Sequence, residues 1–280
     1  MQIDAALGAA AAGVIAVAVT WSIERWGGRV GGLLGTLPST IIPASIGIYE
    51  TSQDIDVFQS SMDAASAGML VNALFLYSWR FFPERLPAWP LPRLLVIMSC
   101  LSLTLWLVLA VGLVLTSEWV FQGGSSRGLG WGGLAAVLTI GAVATWRSTP
   151  APRGTRRVSS FALFGRGVFA ASAIGLAILL SAWIGGLAAG VASIFPAMFL
   201  TAMVSLWWSQ GRAVPGGAVG PMMLGSASVA AYAVIAREAV PAYGVWSGSL
   251  FAWVLAVSLV TVPAWKWLSW RRSVSMTTKV

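Results

Sequence analysis

The sequence has no histidine, a single cysteine, and charge on only 9% of its 280 residues. Each shortage removes a class of chemistry. Without histidine there is no imidazole to shuttle protons, no Ser–His protease, and none of the commonest transition-metal ligand. One cysteine, Cys100, excludes a disulfide within the chain and argues against a thiolate metal site. The phosphate-cradling pattern GxxxxGK[ST] is absent. Carboxylates are scarce, and the one local acidic group, Glu50 with Asp54 and Asp56, is short. These absences speak against an enzyme, a resident cofactor and a metal centre. A copper relay through methionines such as Met62, Met69, Met198, Met222 and Met223 is set aside, because methionine is a common core filler.

What is present is apolar surface in long runs. Hydrophobic residues make up 58% of the chain. A helix needs about 20 apolar residues to cross the hydrocarbon core, and such runs recur throughout. We read nine of them, at about 3–23, 30–48, 62–82, 93–115, 129–146, 161–183, 184–208, 217–236 and 243–266. The runs are continuous, so a β-barrel is not expected, and the first lacks the basic flank of a cleavable signal peptide.

Basic residues test the count. With the N-terminus outside, fifteen of the seventeen Lys and Arg residues fall on the cytoplasmic side, and only Arg127 and Arg237 fall outside. That is the positive-inside pattern. The net charge of +8 then reflects topology and anionic headgroups on the cytoplasmic side, and nucleic acid is not expected as a partner. The expected location is a bacterial-type inner membrane with a cytoplasmic C-terminus. Trp26, Trp79, Trp89, Trp119, Trp131, Trp146, Trp265, Trp267 and Trp270 lie near span ends, as interfacial anchors do.

A duplication runs through the chain. GGLLGTLPSTIIPASIGIY at 31–49 resembles GGLAAGVASIFPAMFLTAM at 185–203, with the shared pattern [ST]-I-[IF]-P-A. Leu86-Pro-Ala-Trp89 answers Val240-Pro-Ala-Tyr243, and Ala65-Ser-Ala67 answers Gly225-Ser-Ala227. The offset stays at 153–160 residues. The expected domains are a first membrane repeat at 1–115, a linker helix and cytoplasmic loop at 116–160, a second repeat at 161–266 and a cytoplasmic tail at 267–280. One linker span between two four-helix units inverts the second unit. The expected fold is therefore an all-α integral membrane protein with about nine transmembrane helices in two inverted repeats.

Prolines interrupt the second and seventh spans. Proline removes an N–H and crowds the carbonyl four residues back, so Pro38, Pro43 and Pro196 are expected to free the carbonyls of Leu34, Ser39 and Ala192. Lipid satisfies none of these, so the breaks face protein or water. Thr40 and Ser193 stand three residues before the shared proline, where a hydroxyl can cap the following half-helix. Only Pro43 has a twin in the other repeat, which favours it over Pro38 as the breaking residue. The competing reading is a pair of packing kinks.

Asn72 is the most polar side chain at mid-span and shares a helical face with Ser61, Ala65 and Gly68; its repeat counterpart is Tyr232. Both are candidates to line a site, or to bridge helices. Asp63 is the carboxylate nearest the membrane interior. It is a candidate coupling group, or an acid favoured by a helix N-terminus. Arg166 is expected to snorkel to headgroups, and 216–221 is a candidate for local unwinding.

The stretch GLLGTLPSTIIPASIGI, with Pro38-Ser39 and the small-residue span after it, resembles GlpM-type small membrane proteins. The likeness covers about the first 110 residues and more faintly 185–265, where Ala192-Ser193 replaces Pro-Ser. It implies a duplicated four-helix unit and carries no substrate. The expected function is a permease or secondary transporter for a small anionic or polar solute, with Pro38, Ser39, Thr40, Pro43, Ser193, Pro196, Asn72 and Tyr232 at the site. The alternative is a non-transporting membrane scaffold, assembly factor or sensor. Assembly into a homo-oligomer stays open.

Overall fold

A computed structural model describes residues 36–39, 41–52, 54–87, 89–121, 125–146, 186–211 and 213–277, with isolated positions at 14, 17, 164–165, 168 and 171–172. Apart from those isolated positions, the expected spans at 3–23 and 161–183 lie outside these residues, as do the loop at 147–160, Thr40 and Arg166. Among the described residues every regular element is helical. They are α1 (Ile41–Thr51), α2 (Ile55–Phe81), α3 (Leu91–Phe121), α4 (Arg127–Trp146), α5 (Gly186–Ser193), α6 (Ala197–Gln210), α7 (Ala213–Tyr243), α8 (Val245–Ala256) and α9 (Val262–Thr277). A π-helical turn, Val257–Thr261, joins the last two.

The helix ends follow local chemistry. Asp54 caps α2, accepting from the Asp56 amide at 3.4 Å. Pro83, Pro87 and Pro90 keep the chain non-helical until α3, which takes Pro92 as its second residue, where a missing N–H costs nothing. Gly211 and Gly244 adopt φ of 84° and 82°, and their amides donate back to Trp207 and Val240 to close α6 and α7. The π-turn lies just before Pro263, where a wider register absorbs the absent donor.

Five described stretches are long and apolar enough to cross a membrane: Leu91–Val120, Arg127–Trp146, Leu187–Trp208, Gly216–Tyr243 and Val245–Arg271. They differ sharply in position. The α7 span is 94% buried within the protein, while those of α3 and α8–α9 are 33% buried. The outer helices expose large apolar side chains, among them Val108, Leu115, Trp246, Leu250 and Leu259. Water would penalise such faces; acyl chains would not. The α2 helix is also largely buried, so α2 and α7 form the centre.

α2 and α7 run antiparallel, since Asp63 near the start of one meets Arg237 near the end of the other. The stretch expected as a linker, α4, packs into both. A Cβ on Gly133 would stand 2.4 Å from Ala67 Cα, and one on Gly141 would stand 2.5 Å from Leu224 Cα. Only glycine allows that backbone approach. On the other side of α2, a Cβ on Gly190 of α5 would meet the Ser61 carbonyl oxygen at 2.0 Å.

Two expectations need correction here. The 216–221 stretch does not unwind: α7 is continuous, with Pro221 and Pro241 inside it. Trp79 is no interfacial anchor, because it is buried and packs edge-on against Trp207 at 5.8 Å. The stretch expected as a tail from residue 267 is helical as far as Thr277, in line with α9. Trp119, Trp131, Trp146, Trp265 and Trp270 are exposed, as anchors are.

Candidate functional site between two helix breaks

The first break is the turn at 36–39 ahead of α1. Pro38 lies buried in that turn, and the Ser39 amide donates to the Leu37 carbonyl at 2.7 Å. Pro43 instead occupies the first turn of α1, where a helix has no use for its amide. The preference for Pro43 over Pro38 therefore reverses: Pro38 stands where the chain is unwound.

The second break separates α5 from α6 at Ile194, Phe195 and Pro196. Pro196 is the N-cap residue of α6. The Ala192 carbonyl is not left free, as it accepts from the Phe195 amide at 3.1 Å. Ser193 does not cap α6 either. It belongs to the last turn of α5, and its hydroxyl donates back to the Gly190 carbonyl at 2.7 Å, a usual choice for a helical serine.

The group that the second break does orphan is the Ile194 carbonyl, and Asn72 supplies its donor. Asn72 Nδ2 donates to that oxygen at 2.8 Å, while its Oδ1 accepts from Trp106 Nε1 of α3 at 2.8 Å. Trp106 also packs edge-on against Phe195 at 5.2 Å. The face read from sequence holds: Gly68 and Ser61, on the Asn72 side of α2, meet Ile194 and Gly190.

The first break is served from α7. Ser228 donates to the Thr36 carbonyl at 2.8 Å, and one turn further on Tyr232 shares a 2.7 Å hydrogen bond with Ser45 of α1. Each break is thus satisfied by the central helix of the opposite half of the sequence. Ser228, Ser45 and Trp106 were not among the sequence candidates. The 160-residue offset pairs Asn72 with Tyr232, and Ser228 lies one turn away on the same face, so the duplication held a signal for it.

Between the breaks lies a cavity of about 50 Å³, room for a few waters. Thr36, Leu37 and Ile41 form one wall, residues 193–199 the other, and Met69, Asn72 and Val229 the floor. Both α1 and α6 begin at this wall. Of the sequence candidates, Asn72, Ser193 and Pro196 line the cavity; Pro38, Ser39, Pro43 and Tyr232 do not.

Asp63 lies apart from the cavity and is not an N-terminal acid of its helix. It stands two turns inside α2, is 1% exposed, and pairs with Arg237 Nε at 2.9 Å. Ser126 donates to the same Oδ2 at 2.8 Å. Glu238 completes the group, pairing with Arg237 and, at 2.5 Å, with Arg127. Among the described residues, the two basic residues that depart from the expected positive-inside pattern are the two held by carboxylates. Ser126 sits in a formal GxSxG run at 124–128, but in a chain without histidine its hydroxyl serves Asp63. Among the described residues no cluster of three or more Asp, Glu or Cys side chains could hold a metal ion.

No protein-family model, no curated protein and no solved structure matches the chain.

Proposed function

We propose that this chain is a membrane permease that moves a small anionic or polar solute through the cavity between the two breaks. The observation that carries this reading is the cavity itself, bounded by two helices that both start there. Helix N-termini present amide donors and about half a positive charge, which favours an anion or a polar neutral solute over a metal ion. The repeats inferred from sequence supply the architecture: related halves, oppositely oriented, meeting at mid-membrane. The antiparallel α2 and α7, each serving the other half's break, accord with that symmetry, and so does the resemblance to a duplicated GlpM-type unit.

Two side-chain pairs flank the cavity along α2. Along α2, the Asp63–Arg237 pair lies about 13 Å to one side of Asn72 and the Trp79–Trp207 pair about 10 Å to the other, from helix rise. Asp63, proposed above as a coupling group, then acts as half of an inter-helix latch. Flux of a panel of small anions and polar solutes into proteoliposomes tests the reading. Ser193→Val with Thr40→Val should slow every solute the wild type moves; unchanged rates would remove the site from the path.

The second reading, a non-transporting scaffold, is favoured by one fact: both break carbonyls already have donors within the protein. Under it, proteoliposomes would show no flux above protein-free vesicles for any solute in the panel.

A further inference from the structure

We propose that the end of the molecule where α2, α4 and α9 meet is a binding site for the headgroup phosphate of an anionic phospholipid. The argument begins with two guanidinium groups. Arg80, in the last turn of α2, donates from Nη1 to the Ala144 carbonyl at 3.4 Å. Arg271 of α9 donates to the Trp146 carbonyl and stands 4.5 Å over the Trp146 ring. Both arginines therefore converge on the C-terminal turn of α4, where unsatisfied carbonyls and the helix dipole draw positive charge. Anchoring uses a small part of the five-donor fork of each.

Neither guanidinium has a carboxylate within 4.0 Å among the described residues. Glu84, in the turn after α2, pairs with neither. The opposite end of the molecule is built the other way, with Arg127 and Arg237 both neutralised by Glu238 and Asp63. Among the described residues, then, Arg127 and Arg237 are paired with carboxylates at one end, and Arg80 and Arg271 are not at the other. A fork of this kind matches the oxygens of a phosphate.

The surroundings select a lipid over free phosphate. Trp267 donates to Thr145 Oγ1 at 3.4 Å and packs against Trp146 at 5.6 Å and Trp270 at 5.5 Å. Trp146 and Trp270 are more than half exposed, and indoles settle at headgroup depth. Val143, one turn inward on α4, and Val262, two and a half turns before Arg271 on α9, are exposed and apolar, a track for acyl chain beneath the phosphate. The site rests on the membrane location and is independent of the solute cavity.

The experiment is native mass spectrometry and thermal unfolding of the full chain in detergent with added phosphatidylglycerol, phosphatidylcholine or inorganic phosphate. Phosphatidylglycerol should be retained and raise the unfolding midpoint; phosphatidylcholine and inorganic phosphate should do neither. Arg80→Gln and Arg271→Gln should each cut retention about fivefold, while Arg85→Gln, at the same end, should leave it unchanged. Equal retention of the two lipids, or a matching midpoint shift from inorganic phosphate, would overturn the site. So would full retention by the double variant. If that variant fails to fold, the comparison of lipids on the wild type still decides.

Discussion

The two breaks solve one problem by different chemistry. At the first, a hydroxyl from Ser228 meets the Thr36 carbonyl. At the second, the Asn72 amide meets the Ile194 carbonyl and also accepts from Trp106. A hydroxyl that donates to a carbonyl joins two segments. An amide that donates and accepts at once joins three, so the second break is tied to α3 as well as α2. Trp106 also fixes which way the amide points, because its N–H can only donate. The first break has instead a second link, between Tyr232 and Ser45, one turn along. The second break is therefore the more centralised of the two, with much of its support passing through a single side chain.

Substitutions rank accordingly. Asn72→Leu strands the Ile194 carbonyl and the Trp106 N–H together. With about 1–3 kcal/mol for each buried group left unsatisfied, this should be the most destabilising change at either break, read as a fall in the thermal unfolding midpoint. Trp106→Phe keeps the bond to Ile194 and removes only the anchor of the amide. It should cost roughly half as much, about 1–3 kcal/mol, and leave flux slowed more than stability. Ser228→Ala removes one neutral hydrogen bond at the first break, about 0.5–1.5 kcal/mol, with Tyr232 and Ser45 still holding α1. Tyr232→Phe should be the mildest, since Ser45 keeps its bond to the Ile42 carbonyl at 2.9 Å. If Ser228→Ala proved as harmful as Asn72→Leu, the contrast between the breaks would fail. The latch sits outside this ranking. Arg237→Met leaves Asp63 buried without its cation and is expected to cost about 3–5 kcal/mol in the same unfolding assay.

The sequence was readable where local rules act and silent where faces must meet. Prolines and glycines marked the helix ends within a few residues, and the small-residue face around Asn72 was correct because helical period alone defines a face. The break at 194–196 was legible from Pro196. Its true orphan was not, because the chain relaxes around a proline and moves the unsatisfied carbonyl two residues on. Ser193 misled for a related reason: a serine can cap the next helix or bond back into its own, and only the register of α5 decides. The donors were the hardest part. Asn72 lies 122 residues from Ile194, and Ser228 lies 192 from Thr36, so their pairing depends on how α2 and α7 pack. Arg127 and Arg237 left a usable trace, since each departs from the charge pattern expected of the sequence.

The central claim is that water and solute reach the cavity between the breaks. Cysteine accessibility tests it without knowledge of the substrate. Cys100, exposed on α3, is first replaced by serine. The Ser193→Cys variant, at the cavity wall, is then compared in sealed vesicles with Ala233→Cys, fully buried in α7, using a membrane-impermeant thiol reagent. The expected result is modification at position 193 and none at 233. If position 193 is as inert as 233 in vesicles, and both react after unfolding, the cavity is sealed and the permease reading is contradicted.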